Sequence, residues 1–308
     1  MTSGGGRLRV GVDLGGTKIA AIALDADEAV VGEARRPAPR DDYRATVEAL
    51  ADIVTEVERQ ASARGSIGIG MPGSISPVTG RIQNSNSVWL NGTPFAEDVQ
   101  AALARPARFA NDADCFALSE ATDGAGAGAS SVFGAILGTG CGGGIVVGGR
   151  LLAGPNRSAG EWGHSPLPWP VSEEYPGPIC WCGRRGCLET WVSGTGMQMD
   201  HAARTGEALA AEQIVARAPT DPSARETLER HLSRLARALA VIVNTIDPDV
   251  IVLGGGLSQM PHLYDRLPDA MRPHIFAAAP LVTVRPPRHG DASGVRGAAR
   301  LWRLDETG

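Results

Sequence analysis

Lysine is almost missing from this chain of 308 residues: Lys18 is the single lysine among 29 cationic side chains, and arginine supplies the rest. Drift toward arginine is what a GC-rich coding sequence produces, and it makes the surviving lysine a position to watch. Positive charge is also in deficit overall, 29 basic against 34 acidic side chains for a net of −5. That balance argues against a nucleic-acid or polyanion binder, which carries a basic face. Aromatic residues make up only 5%, which disfavours base-stacking platforms and aromatic carbohydrate-binding surfaces. No apolar run reaches the ~18–20 residues of a membrane span. The opening Met-Thr-Ser-Gly-Gly-Gly lacks the apolar core of a signal peptide and reads as a flexible leader. The expectation is a soluble, cytoplasmic protein without a membrane or nucleic-acid partner.

What is present narrows the class. An apolar share of 43% is enough for packed cores, and the length alone suggests about two domains. Glycine is abundant, 40 residues without a collagen-like period, so tight turns and close backbone approach are expected. Three of the five cysteines fall within eight residues, a pattern for a metal site in a reducing compartment rather than a disulfide scaffold.

Along the chain, residues 7–24 read as a β-hairpin turning at Gly15-Gly16. Residues 45–60 carry helical spacing in Val47, Leu50, Ala51, Val54 and Val57, and 66–71 is a strand ending in a Pro-Gly loop. A strand at 107–111 leads into a helix from Asp112 to about Gly124, and the small-residue stretch 124–130 marks a boundary. Then 133–149 repeats the opening strand, glycine turn and strand, with Leu14 and Leu137 in matching places. Two such hairpins, each opening a domain's worth of chain, predict an internally duplicated α/β protein. Residues 151–192 are irregular and rich in Pro, Gly and Cys. A long helix at 224–246 bears the stripe Leu228, Leu232, Leu235, Leu239 and Val243. The strand 250–253, a helix from about 257, a strand near 281–284 and a helix near 294–303 complete the reading. The expected domains are 7–117 with 294–308, and 118–293 with a metal-bearing loop at about 160–190.

Three constellations carry chemistry. The first is Asp13-Leu14-Gly15-Gly16-Thr17-Lys18. A glycine turn exposes N–H groups that cradle phosphate oxygens; Thr17 and Lys18 add a hydroxyl and a point charge, and Asp13 could hold hydrated Mg²⁺. An ordinary hairpin explains the same residues. The echo Gly138-Thr139-Gly140-Cys141-Gly142 and the triplet Gly254-Gly255-Gly256 add two further surfaces, and together the three favour a nucleotide. The second is Asn111-Asp112 at a strand end. Asp112 is either a helix N-cap or the carboxylate that takes a proton from an attacking hydroxyl. The third is Cys180, Cys182 and Cys187 with His164 upstream, a four-ligand tetrahedral set for structural Zn²⁺. Such a site would clamp Glu161 and Glu189 near each other, and paired acceptors suit a polyol ligand.

The same motifs, in the same order, carry a family likeness. The DLGGTK hairpin, the Asn-Asp pair, LGTGCGGG, GEWGH and CxCGxxGCxE make the chain resemble the ROK family (repressor, open reading frame, kinase), over about residues 8–300. The stretches PGSISPVTG, NSNSVWLNG, GEWGHSPLPW and DPDVIVLGGGLS look closest to the bacterial ROK fructokinases. The resemblance implies a duplicated ribonuclease-H-like, actin-like ATPase fold with two domains around a cleft. It implies an ATP- and Mg²⁺-dependent kinase that phosphorylates the 6-hydroxyl of D-fructose, with glucose, mannose or N-acetylglucosamine as rival hexoses. It makes Asp112 the base, Asn86, Asn111, Glu161, His164 and Glu189 sugar contacts, and the glycine motifs the ATP site. A homodimer is expected on the same ground. The family's repressors carry an N-terminal helix-turn-helix, for which the few residues before the first strand leave no room. A non-catalytic sugar sensor and an actin-like filament protein are the readings from other classes. An intact Asp112 weighs against the first, and the zinc clamp with its glutamates against the second.

Overall fold

The computed structural model describes residues 8–303 and Glu306. The expected leader, residues 1–6, and the end of the expected first domain, 304–305 and 307–308, lie outside the described residues. The chain forms two compact units, one built from residues up to Ser119, Leu151–Ala159 and those from Asp291 onward, the other from Glu120–Arg150 and Gly160–Gly290.

The first unit opens with β1 (Arg9–Leu14), β2 (Lys18–Leu24) and β3 (Val30–Pro37), followed by α1 (Tyr43–Ala61) and β4 (Ser66–Met71). A two-rung hairpin, β5 (Ser74–Ile75) and β6 (Ile82–Gln83), precedes α2 (Phe95–Leu103), β7 (Ala107–Asn111) and α3 (Asp112–Thr122). The sheet order is β3-β2-β1-β4-β7. β1 pairs antiparallel with β2 and parallel with β4, which pairs parallel with β7. β1 and β4 are buried along nearly their whole length, as strands covered on both faces are, with glycines at Gly11, Gly68 and Gly70 on the side where bulk is not tolerated. α1 lays Val47, Leu50, Ile53, Val54 and Val57 into this core. Its start is fixed by Asp42, whose carboxylate accepts the Ala45 N–H at 2.9 Å.

The second unit repeats the plan with β8 (Ser131–Leu137), β9 (Cys141–Val147), β10 (Arg150–Leu151), β11 (Val250–Gly254) and β12 (Val284–Arg285) in the order β10-β9-β8-β11-β12. Again an antiparallel hairpin adjoins parallel strands, so the inferred duplication is visible as the same sheet drawn twice. Between β10 and β11 lie α4 (Glu189–Val192), α5 (Gly194–Thr205), α6 (Ala211–Arg217) and α7 (Pro222–Ile246); α8 (Pro261–Met271) precedes β12. The expected stripe of α7 is buried, from Leu228 to Val243. The helix expected from about 257 is a 3₁₀ turn, Gly256–Gln259, before α8 begins at Pro261. The strand expected near 281–284 is the shorter β12.

The chain then returns to the first unit with α9 (Ser293–Ala299). Two glycines admit this helix onto the sheet. A Cβ on Gly11 would lie 2.1 Å from the Val295 carbonyl, and one on Gly68 1.8 Å from that of Ala298. Trp302 closes the packing by donating its indole N–H to the Ile67 carbonyl at 2.6 Å. The unit limits differ from the sequence expectation in three places: Leu151–Ala159, residues 118–119 and residues 291–293, all expected in the second domain, group with the first. Among the described residues, no helix is long and apolar enough to cross a membrane.

Candidate functional site

In the first unit β1, β4 and β7 run parallel and end at one edge of the sheet, the edge at which parallel α/β sheets place their ligands. Asp13 sits at the end of β1, and Asn111 and Asp112 at the junction of β7 with α3. The helix-cap role open to Asp112 falls on its neighbour instead. Asn111 Oδ1 accepts the Ala113 N–H at 2.9 Å, two residues on, while its Nδ2 donates to the Gly73 carbonyl at 3.2 Å. Asp112 shares the same Ala113 N–H at 2.9 Å and stays exposed.

Both carboxylates are held above their ordinary range. Loss of solvation, then the charge of Asp112 and more weakly that of Asp291, push Asp13 up to about 6, with Lys18 opposing. Crowding by protein also raises Asp112, although it keeps accessible surface, against hydrogen bonds from Ala113 and Asn111. Lys18 lies 3.5 Å from Asp291, both side chains more than half exposed. Thr17 is exposed in the turn, and a Cβ on Gly16 would meet nothing within 4 Å. That turn is open to a ligand. Asn86 is exposed on a loop pinned beside it by Asn91, which bonds both the N–H and the carbonyl of Ser85.

In the second unit the turn Gly138–Gly140 joins β8 to β9. The Gly194 N–H at the start of α5 donates to the Gly138 carbonyl at 2.8 Å. Gly142 has a role within the fold: its carbonyl accepts the Trp162 indole N–H at 2.8 Å. This bond lays the segment Gly160–His164 along β9. Glu189 then reaches the same hairpin, its Oε2 accepting the Cys141 N–H at 2.9 Å and its Oε1 the Trp181 indole N–H at 2.6 Å. A Cβ on Gly140 would lie 2.5 Å from Glu189 Oε2, so glycine is what lets that carboxylate sit here. Burial, then Glu189, then Glu161 raise the Cys141 thiol, so both carboxylates are gathered around this residue. Gly254 ends β11, with Gly255 and Gly256 in the turn after it.

His164, Cys180, Cys182 and Cys187 converge as their spacing predicts, with donor atoms all within 4.8 Å of one another. Cys180 Sγ lies 3.6 Å from His164 Nδ1, and Cys182 Sγ 3.6 Å from Cys187 Sγ. A tetrahedron with Zn–S bonds of about 2.3 Å has edges of about 3.7 Å, so donor set and spacing fit zinc.

A supporting network was not read from the sequence. Arg234 and Arg237 of α7 both bond the buried Glu174, Arg237 through two contacts of 2.8 and 2.9 Å. Arg237 also donates to the carbonyls of Pro168 and Trp169, and Arg234 lies 4.5 Å over the Trp191 ring. The available signal was two arginines set among the apolar positions of a long amphipathic helix.

With this geometry in place, comparisons become informative. The family model described as ROK family matches residues 9–304. N-acetyl-D-glucosamine kinases of Escherichia coli O127:H6 and Shigella flexneri are each 39% identical over 300 residues, covering 96% of this chain and 99% of theirs. Among solved structures, a ROK hexokinase from Thermus thermophilus has a TM-score of 0.84 at 33% identity, covering 95% of this chain and 96% of that one. A ROK family glucokinase from Streptomyces griseus, in complex with glucose and AMPPNP, has a TM-score of 0.77 at 27% identity, covering 96% and 98%. The nearer likeness to fructokinases finds no support in these relatives. A full-length family match and these relatives agree with the duplicated fold: the chain belongs to the ROK family.

Proposed function

We propose that this chain is an ATP-dependent hexose kinase that phosphorylates the 6-hydroxyl of N-acetyl-D-glucosamine. The observation that carries the choice of sugar is the 39% identity to N-acetyl-D-glucosamine kinases along almost the whole of both chains. D-Fructose is the second reading, favoured by the resemblance of residues 72–80 and 84–92, the latter carrying Asn86, to loops of fructokinases. The setting is cytoplasmic, in keeping with five free thiols, and the active form is a homodimer.

In this reading Asp112 accepts the proton of the 6-hydroxyl as its oxygen attacks the γ-phosphorus, and the bond to the β-phosphate oxygen breaks to release ADP. A carboxylate raised above its ordinary range is suited to that transfer. Asn86, Asn111, Glu161, His164 and Glu189 orient the sugar. Gly15, Gly16, Thr17 and Lys18, the turn Gly138–Gly142 and Gly254–Gly256 hold the phosphates. Mg²⁺ neutralises phosphate charge when bound. Asp13 is the residue to hold it, since its crowded carboxylate gains most from a nearby cation. Zinc on His164, Cys180, Cys182 and Cys187 has a closed shell and is structural, fixing the loops that bear Glu161 and Glu189.

A panel of hexoses with ATP, read by coupled ADP release and by NMR of the product, tests the proposal. Highest kcat/KM for N-acetyl-D-glucosamine with a 6-phosphate product is expected. Highest kcat/KM for fructose would restore the second reading, and no ADP from any sugar would overturn the kinase.

A further inference from the structure

A cavity of about 800 Å³ runs along β7 in the first unit, from Asn111 back to Arg108. All of its lining, Leu151, Ala153, Arg157 and Leu301 included, belongs to that unit. β7 is the edge strand of its sheet. We infer that the cavity receives a carboxyl-bearing substituent on the acceptor sugar, held by Arg157, and that acidic ethers of N-acetyl-D-glucosamine are substrates. The inference rests on the kinase reading above and widens it from one sugar to a substrate class.

Size is the first argument. The volume lies in the upper part of the ~300–1,000 Å³ of small-molecule sites, far more than one hexose ring fills. Asn111, assigned to the sugar, stands at one end, and Arg108 is about 10 Å away along the strand. A sugar seated at Asn111 therefore leaves room for what that sugar carries. The walls of this room include Ile75, Pro77, Phe109, Leu151, Ala153 and Leu301. They suit an alkyl arm better than a second ring rich in hydroxyls.

Charge is the second. Arg108 is already engaged: it donates to the Leu301 carbonyl at 2.7 Å and to the Glu306 carboxylate, and lies over the Trp302 ring. Asp114, the acidic side chain of the lining, has a partner within the chain. Among the described residues, the Arg157 guanidinium makes no hydrogen bond or ion pair. Its backbone is left-handed at φ 54, a conformation that glycine adopts without cost, and such strain gathers at ligand clamps. The Ser74 hydroxyl accepts the Gln83 amide at 3.2 Å and keeps its own proton to donate. Both groups ask for an acceptor, and a guanidinium matches a carboxylate or a phosphate. A phosphate has nothing for the apolar walls, whereas a carboxyalkyl ether supplies acid and alkyl arm together. The transfer itself is unaltered. Asp112 takes the proton of the 6-hydroxyl, the γ-phosphoryl group passes to that oxygen, ADP leaves, and the carboxylate remains ionised on another position of the ring.

N-acetylmuramic acid, which is N-acetyl-D-glucosamine bearing a lactyl ether, is the probe. Turnover is measured with this acid, its methyl ester, N-acetyl-D-glucosamine and N,N′-diacetylchitobiose, on the wild type, Arg157→Gly and Arg157→Lys, beside calorimetry of the acid without ATP. Arg157 is exposed and glycine relieves its backbone, so Arg157→Gly should melt no lower than the wild type. For the wild type, kcat/KM for the acid should lie within about tenfold of that for N-acetyl-D-glucosamine, and the ester should be about tenfold poorer than the acid. In Arg157→Gly the ratio of acid to neutral sugar should fall about tenfold or more, the Kd of the acid weakening in step, with part of the loss recovered in Arg157→Lys. An ester used as well as the acid overturns the proposal, as does a ratio unmoved in Arg157→Gly. Phosphorylation of N-acetyl-D-glucosamine or of N,N′-diacetylchitobiose but not of the acid would sink this proposal alone. Binding of the acid through Arg157 with no sugar phosphorylated would sink the kinase reading alone.

Discussion

Cys141 and Glu189 are joined across 48 residues by one hydrogen bond, the backbone N–H of the hairpin donating to the carboxylate of the metal-binding loop at 2.9 Å. The second glycine turn and the carboxylate proposed to orient the sugar thus form one mechanical piece. Gly140 is its weak point. Gly140→Ala would drive Glu189 aside by roughly an ångström, a displacement that can cost about 10²-fold in rate. Steady-state kinetics should show that loss in kcat/KM for the sugar; an unchanged value would remove Glu189 from the sugar site.

Asp112→Asn keeps the shape of the side chain and removes the proton acceptor. The expected loss is about 10²–10⁴-fold in kcat with little change in sugar KM. Both Asp112 and Asp13 are raised above the ordinary 3.8. The acid limb of the wild-type profile should therefore fall well above that pH. A limb at ordinary carboxylate pH would exclude both groups from turnover.

Asp13→Asn separates stability from activity. A carboxyl at about 6 in the folded chain against 3.8 unfolded binds its proton more tightly when folded. Its ionisation therefore opposes folding, with the full penalty above pH 6 and none below about 4. The variant should be more stable than the wild type at pH 7.5 by on the order of 1–3 kcal/mol. That gain should shrink as pH falls from 6 toward 4, and Mg²⁺-supported turnover should drop. Thermal melts across that range read the first effect, and a gain independent of pH would refute the assignment.

Zinc should be found by elemental analysis at one per chain. Cys182→Ser or exhaustive chelation should lower the melting temperature by several degrees, since metal binding is coupled to the folded loop. Proteolysis should then begin within residues 165–187. A metal-free chain that melts unchanged and resists protease would overturn the site.

Among the described residues, Glu174→Gln removes the one carboxylate paired with Arg237 and leaves Arg234 with Asp200 alone, 2.9 Å away. Breaking a buried pair from one side costs about 3–5 kcal/mol, measurable by urea unfolding. The arginines hold the Glu174 carboxyl below its ordinary 4.5 despite burial. Its contribution is therefore intact above that value and disappears as pH falls through the lower, folded-state pKa. The variant's deficit should be constant from pH 8 to 5 and close only in stronger acid.

The parts legible in the sequence were those with a local signature. Val10 and Ile67 lie in buried parallel strands, Leu228 to Val243 form one helical stripe, and Cys180-x-Cys182 announces a metal. β3 is not legible because an edge strand with Glu33 and Arg35 exposed and Arg36 turned to Glu56 of α1 lacks apolar bulk. Helix α5 is hidden because Gly194 and Gly196 lower the helical signal, and its start is held by a distant partner, the Gly138 carbonyl. Asn111 takes the cap position because the helix already begins at Asp112, and both side chains reach the Ala113 N–H, a one-residue boundary that spacing does not record. Glu174 is invisible for the same reason, since its partners lie 60 and 63 residues away.

The docking of α9 on Gly11 and Gly68 sets a timetable for synthesis. β1, β2, β4 and β7 leave the ribosome early, yet the face of β1 and β4 bearing those glycines is covered only in part, by Cys115 of α3 against Gly70, until residues 293–302 are made. During most of translation the nascent first unit displays a half-finished apolar surface, while the second unit can complete its core from its own contiguous helices. Stalling the chain at residue 290 should leave the earlier-made unit protease-sensitive and the later-made one protected, reversing the order in which they were synthesised.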